Sequence, residues 1–171
     1  MQDISNEAPL YDGQTFHQHS HPVYRRPLAE DAHMKLSKHM ALVCYQPAHP
    51  NAEYTGAQGG TGRNECRWLA CEQGTQREGI SKGRLDALLD SKLDPHASIG
   101  WHTHADTEEY YYLLQGQLWV EWQGDAIPRQ GLWMQEGDCH RLGPGLQHWA
   151  QAGESGARFI ALSLKCSPEV E

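Results

Sequence analysis

HTHADTEEYYYLLQG, residues 102–116, decides how the rest of the chain is organised. On a β-strand successive side chains alternate between faces, so His102 and His104, two positions apart, project together. Ala105, Asp106 and Thr107 supply a turn, and the next segment returns beside the first. It begins with Glu108 and Glu109, which sets a carboxylate across from the imidazoles. Two nitrogens and one oxygen then reach a common point about 2 Å from each. Such a donor set suits a borderline divalent ion such as iron, zinc, nickel, copper or manganese, and geometry rather than ligand identity chooses among them.

Outward from this stretch, short apolar segments recur between turn residues: SIGWHTH, EYYYLLQ, QLWVEW, GLWMQ, CHRL, HWAQ and ARFIALSL. Many short strands at this spacing predict an all-β sandwich or barrel. In RLDALLDSKL, residues 84–93, Leu85, Ala87, Leu89 and Leu93 share one face while Asp86, Asp90 and Lys92 share the other. That is the pattern of a half-buried strand, with a helix through Leu85, Leu88 and Leu89 as its rival. Residues 1–60 are rich in His, Pro and Gly and predict an N-terminal arm with short strands or a helix packing on a barrel formed by residues 61–171. Within the arm, residues 28–45 fit neither a helix nor a strand well.

The chain of 171 residues, with 39% hydrophobic residues, six Trp and seven Tyr, is long enough for one substantial core and too apolar for disorder. No apolar run approaches the ~18 residues of a membrane span, and the first 30 residues lack a secretory leader, so a cytoplasmic protein is expected. The five cysteines, Cys44, Cys66, Cys71, Cys139 and Cys166, are odd in number and lack CxxC spacing, which fits reduced thiols. A net charge of −8 without a basic cluster argues against nucleic acid. Small molecules or protein partners are the expected company.

HTHADTEEYYYLLQG resembles the first motif of the cupin superfamily: HxH, four residues, Glu, six residues, Gly. The resemblance selects Glu109 over Glu108. GDCHRLGPGLQH, residues 137–148, resembles the second motif, a glycine, five residues, PxG, two residues and His, with His148 as a fourth ligand. The match covers about residues 80–165. Three positions depart from it: His96 stands where glycine is usual, Gly143 where proline is usual, with Pro144 one place beyond, and Gln151 where asparagine is common. None of them removes a ligand. The resemblance implies a double-stranded β-helix, or jelly roll. One divalent metal would sit inside it on His102, His104, Glu109 and His148, in a homodimer. Iron is the first expectation, with zinc, nickel, copper and manganese as alternatives.

HQHSH, residues 17–21, is a rival metal run, but no carboxylate follows His17, His19 and His21 at hairpin distance and Pro22 interrupts it. We therefore expect it to be an exposed or packing arm. Tyr111, two residues beyond Glu109, is expected to face inward, as core or as a group that hydrogen-bonds substrate or moves a proton. In residues 139–142 one pair, Cys139 with Arg141 or His140 with Leu142, must face inward; Arg141 is the choice here, as an anchor for a carboxylate. Trp101, Trp119, Trp122, Trp133 and Trp149 are expected in the core and interface. The expected activity is metal-dependent chemistry on a small polar metabolite, first a dioxygenase-type oxidoreductase. The alternatives are an isomerase, epimerase or lyase, including one like the cupin lyases of dimethylsulfoniopropionate, and a non-catalytic ligand-binding barrel.

Overall fold

Two strands of unusual length, Thr107–Gly124 and Gln147–Lys165, organise the computed structural model. At about 3.3 Å per residue a straight strand of this length would extend roughly 60 Å, far more than a domain of this size can hold, so both must bend. Around them lie the shorter strands, and in chain order the elements are β1 (Leu10–Tyr11), β2 (Ala41–Tyr45), β3 (Asn64–Cys71), β4 (Leu85–Leu93), β5 (Ser98–Thr103), β6 (Thr107–Gly124), β7 (Ile127–Met134), β8 (Cys139–Leu142) and β9 (Gln147–Lys165). The structure describes residues 10–11, 41–45, 59–71 and 84–166. No helix among the described residues is long and apolar enough to cross a membrane.

The bends occur at Gly116 (φ 82°) and Gly156 (φ 81°), where the β6–β9 ladder also shifts register, between Leu113 and Gln115 and again between Gly116 and Leu118. On one side of the bend Thr107–Gly116 pairs with Ala157–Lys165, and on the other Leu118–Gln123 pairs with Gln147–Ala152. Each long strand thus serves two sheets. The first runs β1-β2-β3-β4 into the end of β9, the start of β6 and β8; the second joins β5, the start of β9, the end of β6 and β7. Folded over one another they make the jelly-roll barrel expected from the sequence, closed on a core that includes Leu113, Leu118, Val120, Phe159 and Ala150.

Sequence reasoning separated EYYYLLQ from QLWVEW and HWAQ from ARFIALSL, because a glycine between apolar runs has the look of a turn. Here each pair is one strand, with the glycine at its bend. Residues 85–93 form a strand and not the rival helix. Asp86, assigned above to the solvent face, is only 6% exposed, because the β4–β9 ladder slips one residue between Leu85 and Ala87. The end of the unassigned 28–45 stretch is strand β2, antiparallel to β3. The rest of that stretch, and HQHSH with His17, His19 and His21, lie outside the described residues.

Gly116 has no room for a side chain: a Cβ there would run into the carbonyl oxygen of Gly156. Positive φ adds backbone strain for any L side chain. Gly116→Ala should therefore lower stability by about 2–4 kcal/mol, read as a fall in Tm by circular dichroism. An unchanged Tm would mean that the two strands do not approach this closely.

Candidate metal centre

Because β5 pairs with the first half of β9, His102 lies directly across the ladder from His148. His104 stands just past the end of β5, and the chain turns through Ala105 and Asp106 into β6, whose third residue is Glu109. Alternation along β6 aims Glu109 inward and Glu108 outward. The inner carboxylate is 8% exposed, whereas Glu108 accepts two hydrogen bonds from Arg141 on the outer face, at 2.7 and 2.9 Å. The second sheet thus supplies His102 and His148, the turn after β5 supplies His104, and the first sheet supplies the Glu109 carboxylate. Their ligand atoms all lie within 4.8 Å of one another.

Each part of this cluster is oriented by backbone groups or by its neighbours. The His102 Nδ1–H donates to the Gly100 carbonyl at 2.8 Å, and the His148 Nδ1–H donates to the Leu146 carbonyl at 3.3 Å. Both rings are thereby fixed with Nε2 directed into the cluster, the tautomer a metal-ligating histidine needs. His148 Nε2 is 3.1 Å from Glu109 Oε2, and His104 Nε2 is 3.6 Å from the same oxygen, too far for a hydrogen bond. Burial alone would raise the Glu109 carboxyl, but His104 and His148 hold it well below the usual carboxylate range. Burial alone would lower the His104 imidazole, yet Glu109, with Asp86 and Asp106, raises it above its ordinary value.

His104 Nε2 is buried and makes no hydrogen bond. A buried nitrogen left without a partner is costly, and here it points at a carboxylate oxygen and two further imidazoles. A divalent transition ion would satisfy it, and three nitrogens with one oxygen are a donor set such ions accept. The residues therefore fit a divalent metal.

Tyr111, from the next inward position on β6, is buried, its ring 5.0 Å from Phe159 and 6.2 Å from His148. Burial and the Glu109 carboxylate hold its phenol well above its ordinary value, so it keeps its proton; a role as base through a lowered pKa finds no support in these surroundings. The choice of Arg141 as an inward anchor is corrected: its side chain is 59% exposed and engaged with Glu108. The inward pair is His140 and Leu142. Leu142 lies across the ladder from Glu109 and is 1% exposed, while the His140 ring meets that of Trp122 at a tilt, centroids 4.6 Å apart, and burial and His148 lower its pKa. Of the tryptophans, Trp101 is buried and Trp133 is 49% exposed, its ring 5.4 Å from that of Trp119.

The cluster opens onto a cavity of about 60 Å³ lined also by Trp68, Leu89, Ile99 and Phe159, with Asn64, Cys66, Ser91 and Ser163 as its polar wall. Sequence reasoning placed these last four in strands or left them unassigned and gave none of them a role. The alternation of β3, β4 and β9 assigns them a face only once the pairing is known.

No family model matches the chain, and no curated protein does. Solved structures share its fold. A protein described as a predicted oxalate decarboxylase from Thermotoga maritima is 19% identical, with a TM-score of 0.59 over 78% of this chain and 99% of that one. A Bacillus subtilis oxalate decarboxylase, studied for its Mn(II) centres, is 24% identical, with a TM-score of 0.52 over 68% of this chain and 28% of that one. The Lactobacillus farciminis oxalate decarboxylase in complex with formate is 21% identical, with a TM-score of 0.52 over 68% of this chain and 31% of that one. The chain thus spans less than a third of the length of the last two. At these identities the likeness is one of fold.

Burial pushes the Cys66 thiol up to about 12, partly offset by its contact with Ser91 and reinforced by Asp90. The thiolate is the nucleophile, so at pH 8 iodoacetamide should modify the exposed Cys139 and spare Cys66 in the folded protein, as read by peptide mapping. Equal labelling of both would show that the cavity wall opens readily.

Proposed function

Since the chain has the cupin fold, with three histidines and one glutamate brought together beside a cavity in the barrel, we propose that it is a mononuclear metal-dependent enzyme acting on a small carboxylate- or carbonyl-bearing metabolite. His102, His104, Glu109 and His148 hold the metal in this reading. The observation that carries it is the buried, unpartnered His104 Nε2 aimed at the other three ligands. Manganese or iron is the favoured occupant. Manganese is supported by the Mn(II) centres of the similar Bacillus subtilis decarboxylase, and iron by the ligand set.

The chemistry read first is bond cleavage next to a carboxylate, the lyase class, in keeping with the decarboxylase names of the structural neighbours. A bound divalent ion supplies Lewis-acid polarisation of substrate oxygens. The chain's own contribution is a buried phenol at Tyr111, whose retained proton is available to a carbanionic product, and apolar walls that keep water from competing for it. A dioxygenase-type oxidoreductase is the second reading, favoured by the apolar surfaces of Ile99, Trp68 and Phe159, which admit dioxygen beside a small substrate. Residues 1–60 serve in this reading as an arm on the barrel. Exposed Tyr112 and Leu114, two apart on the outer face of β6, support a homodimer. Three free thiols among the described residues, Cys66, Cys139 and Cys166, fit a reducing cytoplasm.

Metal content by mass spectrometry on untagged protein tests the centre. About one equivalent should vanish in His148→Ala and survive when His17, His19 and His21 are all changed to Ala; the reverse result would move the site to the N-terminal run. An oxygen electrode then separates the reactions, since a lyase turns over a small carboxylate without stoichiometric oxygen uptake and a dioxygenase consumes one equivalent. Binding without turnover would make the barrel a ligand-binding protein. Tyr111→Phe should keep the metal and slow turnover by about 100-fold or more, whereas a purely packing role would leave the rate near wild type.

A further inference from the structure

Strand pairing lays out the inner face of the first sheet in rungs. On the rung that carries Glu109, β9 sets Ser163 and β4 sets Ala87 beside it. The next rung along the barrel, two residues or about 6.6 Å away, runs Trp68, Leu89, Ala161, Tyr111. All four line the cavity together with His102, His104 and Glu109, and Ile99 of the second sheet completes this part of the wall. Ala161 is the smallest of the four and stands between Leu89 and Tyr111, so its short side chain leaves room beside the cluster.

The polar residues of the wall offer an occupant little. Cys66 Sγ lies 3.4 Å from Ser91 Oγ, so these two groups engage each other. Asn64 Oδ1 and Ser163 Oγ are both buried. Three neutral imidazoles and one carboxylate around a divalent ion leave one positive charge, which a single carboxylate on the occupant neutralises. No Lys or Arg lines the cavity among the described residues, so a second anionic group carried past the cluster would lose its water without gaining a partner. The space itself, about 60 Å³, is bounded there by Trp68, Leu89, Ala161, Ile99 and Phe159. At about 15 Å³ for each water-sized group, it admits about three or four carbon atoms.

Resting on the metal reading above, we infer that the site takes a monocarboxylate with a short alkyl tail, Ala161 making the room for that tail and Leu89 limiting its length. The carboxylate is held at the metal cluster, and the tail lies over the rung of Leu89, Ala161 and Tyr111. Each methylene placed there exchanges water for an apolar wall, so affinity climbs with chain length until the cavity is full. A carboxylate in place of the terminal methyl meets no cation and is rejected.

Full-length protein loaded with Mn(II) and titrated calorimetrically with acetate, propionate, butyrate, pentanoate, heptanoate and succinate tests this. Affinity should rise about threefold with each methylene from acetate to pentanoate and gain nothing further at heptanoate. Succinate, which is butyrate with a carboxylate for its terminal methyl, should bind about tenfold or more weakly than butyrate. Ala161→Val should cut the advantage of butyrate over acetate to about twofold or less, and Leu89→Ala should move the best chain length up by at least one carbon, with manganese content unchanged in both. Equal binding of acetate and pentanoate, succinate as tight as butyrate, or a chain-length profile that neither substitution alters would overturn the proposal while leaving the metal centre standing. Wild-type protein that takes up no divalent metal would overturn both. Should Ala161→Val fail to fold, the wild-type series and Leu89→Ala decide.

Discussion

A carboxylate enclosed in a barrel is the constraint on which the rest of this structure depends. Glu109 is nearly inaccessible, and its ionised form is tolerable there only because His104 and His148 face it. His148 belongs to the opposite sheet and His104 to the turn that leaves it, so the ionisation state of one side chain requires that the two sheets close on each other. The closing is done by β6 and β9, which pass through both sheets and bend where only a missing side chain lets the backbones meet. Backbone carbonyls then set the histidine tautomers. Barrel, bend and ligand cluster are consequences of one another.

The ligand cluster was legible in the sequence because two simple rules coincide there. Alternation places His102 with His104 and separates Glu108 from Glu109, and the motif spacing adds His148. Continuity of the long strands was not legible, since Gly116 and Gly156 look like turn glycines until their pairing partners are known. Arg141 shows the limit of alternation: the pattern says that 139 and 141 share a face but not which one. Glu108, immediately before the inward carboxylate, settles it by pairing with Arg141 outside.

The departures from the familiar motif also have physical form. His96 adopts φ 59°, the left-handed conformation usually left to glycine, as the third residue of a turn in which the Ala97 N–H donates to the Asp94 carbonyl at 3.0 Å. Gln151, the other departure on this side of the barrel, donates from Nε2 to the His96 carbonyl at 3.1 Å. The two substitutions are thus in contact. Where glycine replaces proline at position 143, the loop is still tied to the first motif, through the Gly145 N–H donating to the His104 carbonyl at 2.8 Å.

That last bond joins the loop before His148 to the residue that carries the orphaned nitrogen. With His102 and His148 also opposite each other in the β5–β9 ladder, the backbone positions that carry the three imidazoles are tied to one another through main chain. The backbone positions of the three histidines cannot part without opening that ladder or breaking that tie. The spacing of the three histidine positions is therefore a property of the second sheet, and an ion held by them would feel each opening of that sheet.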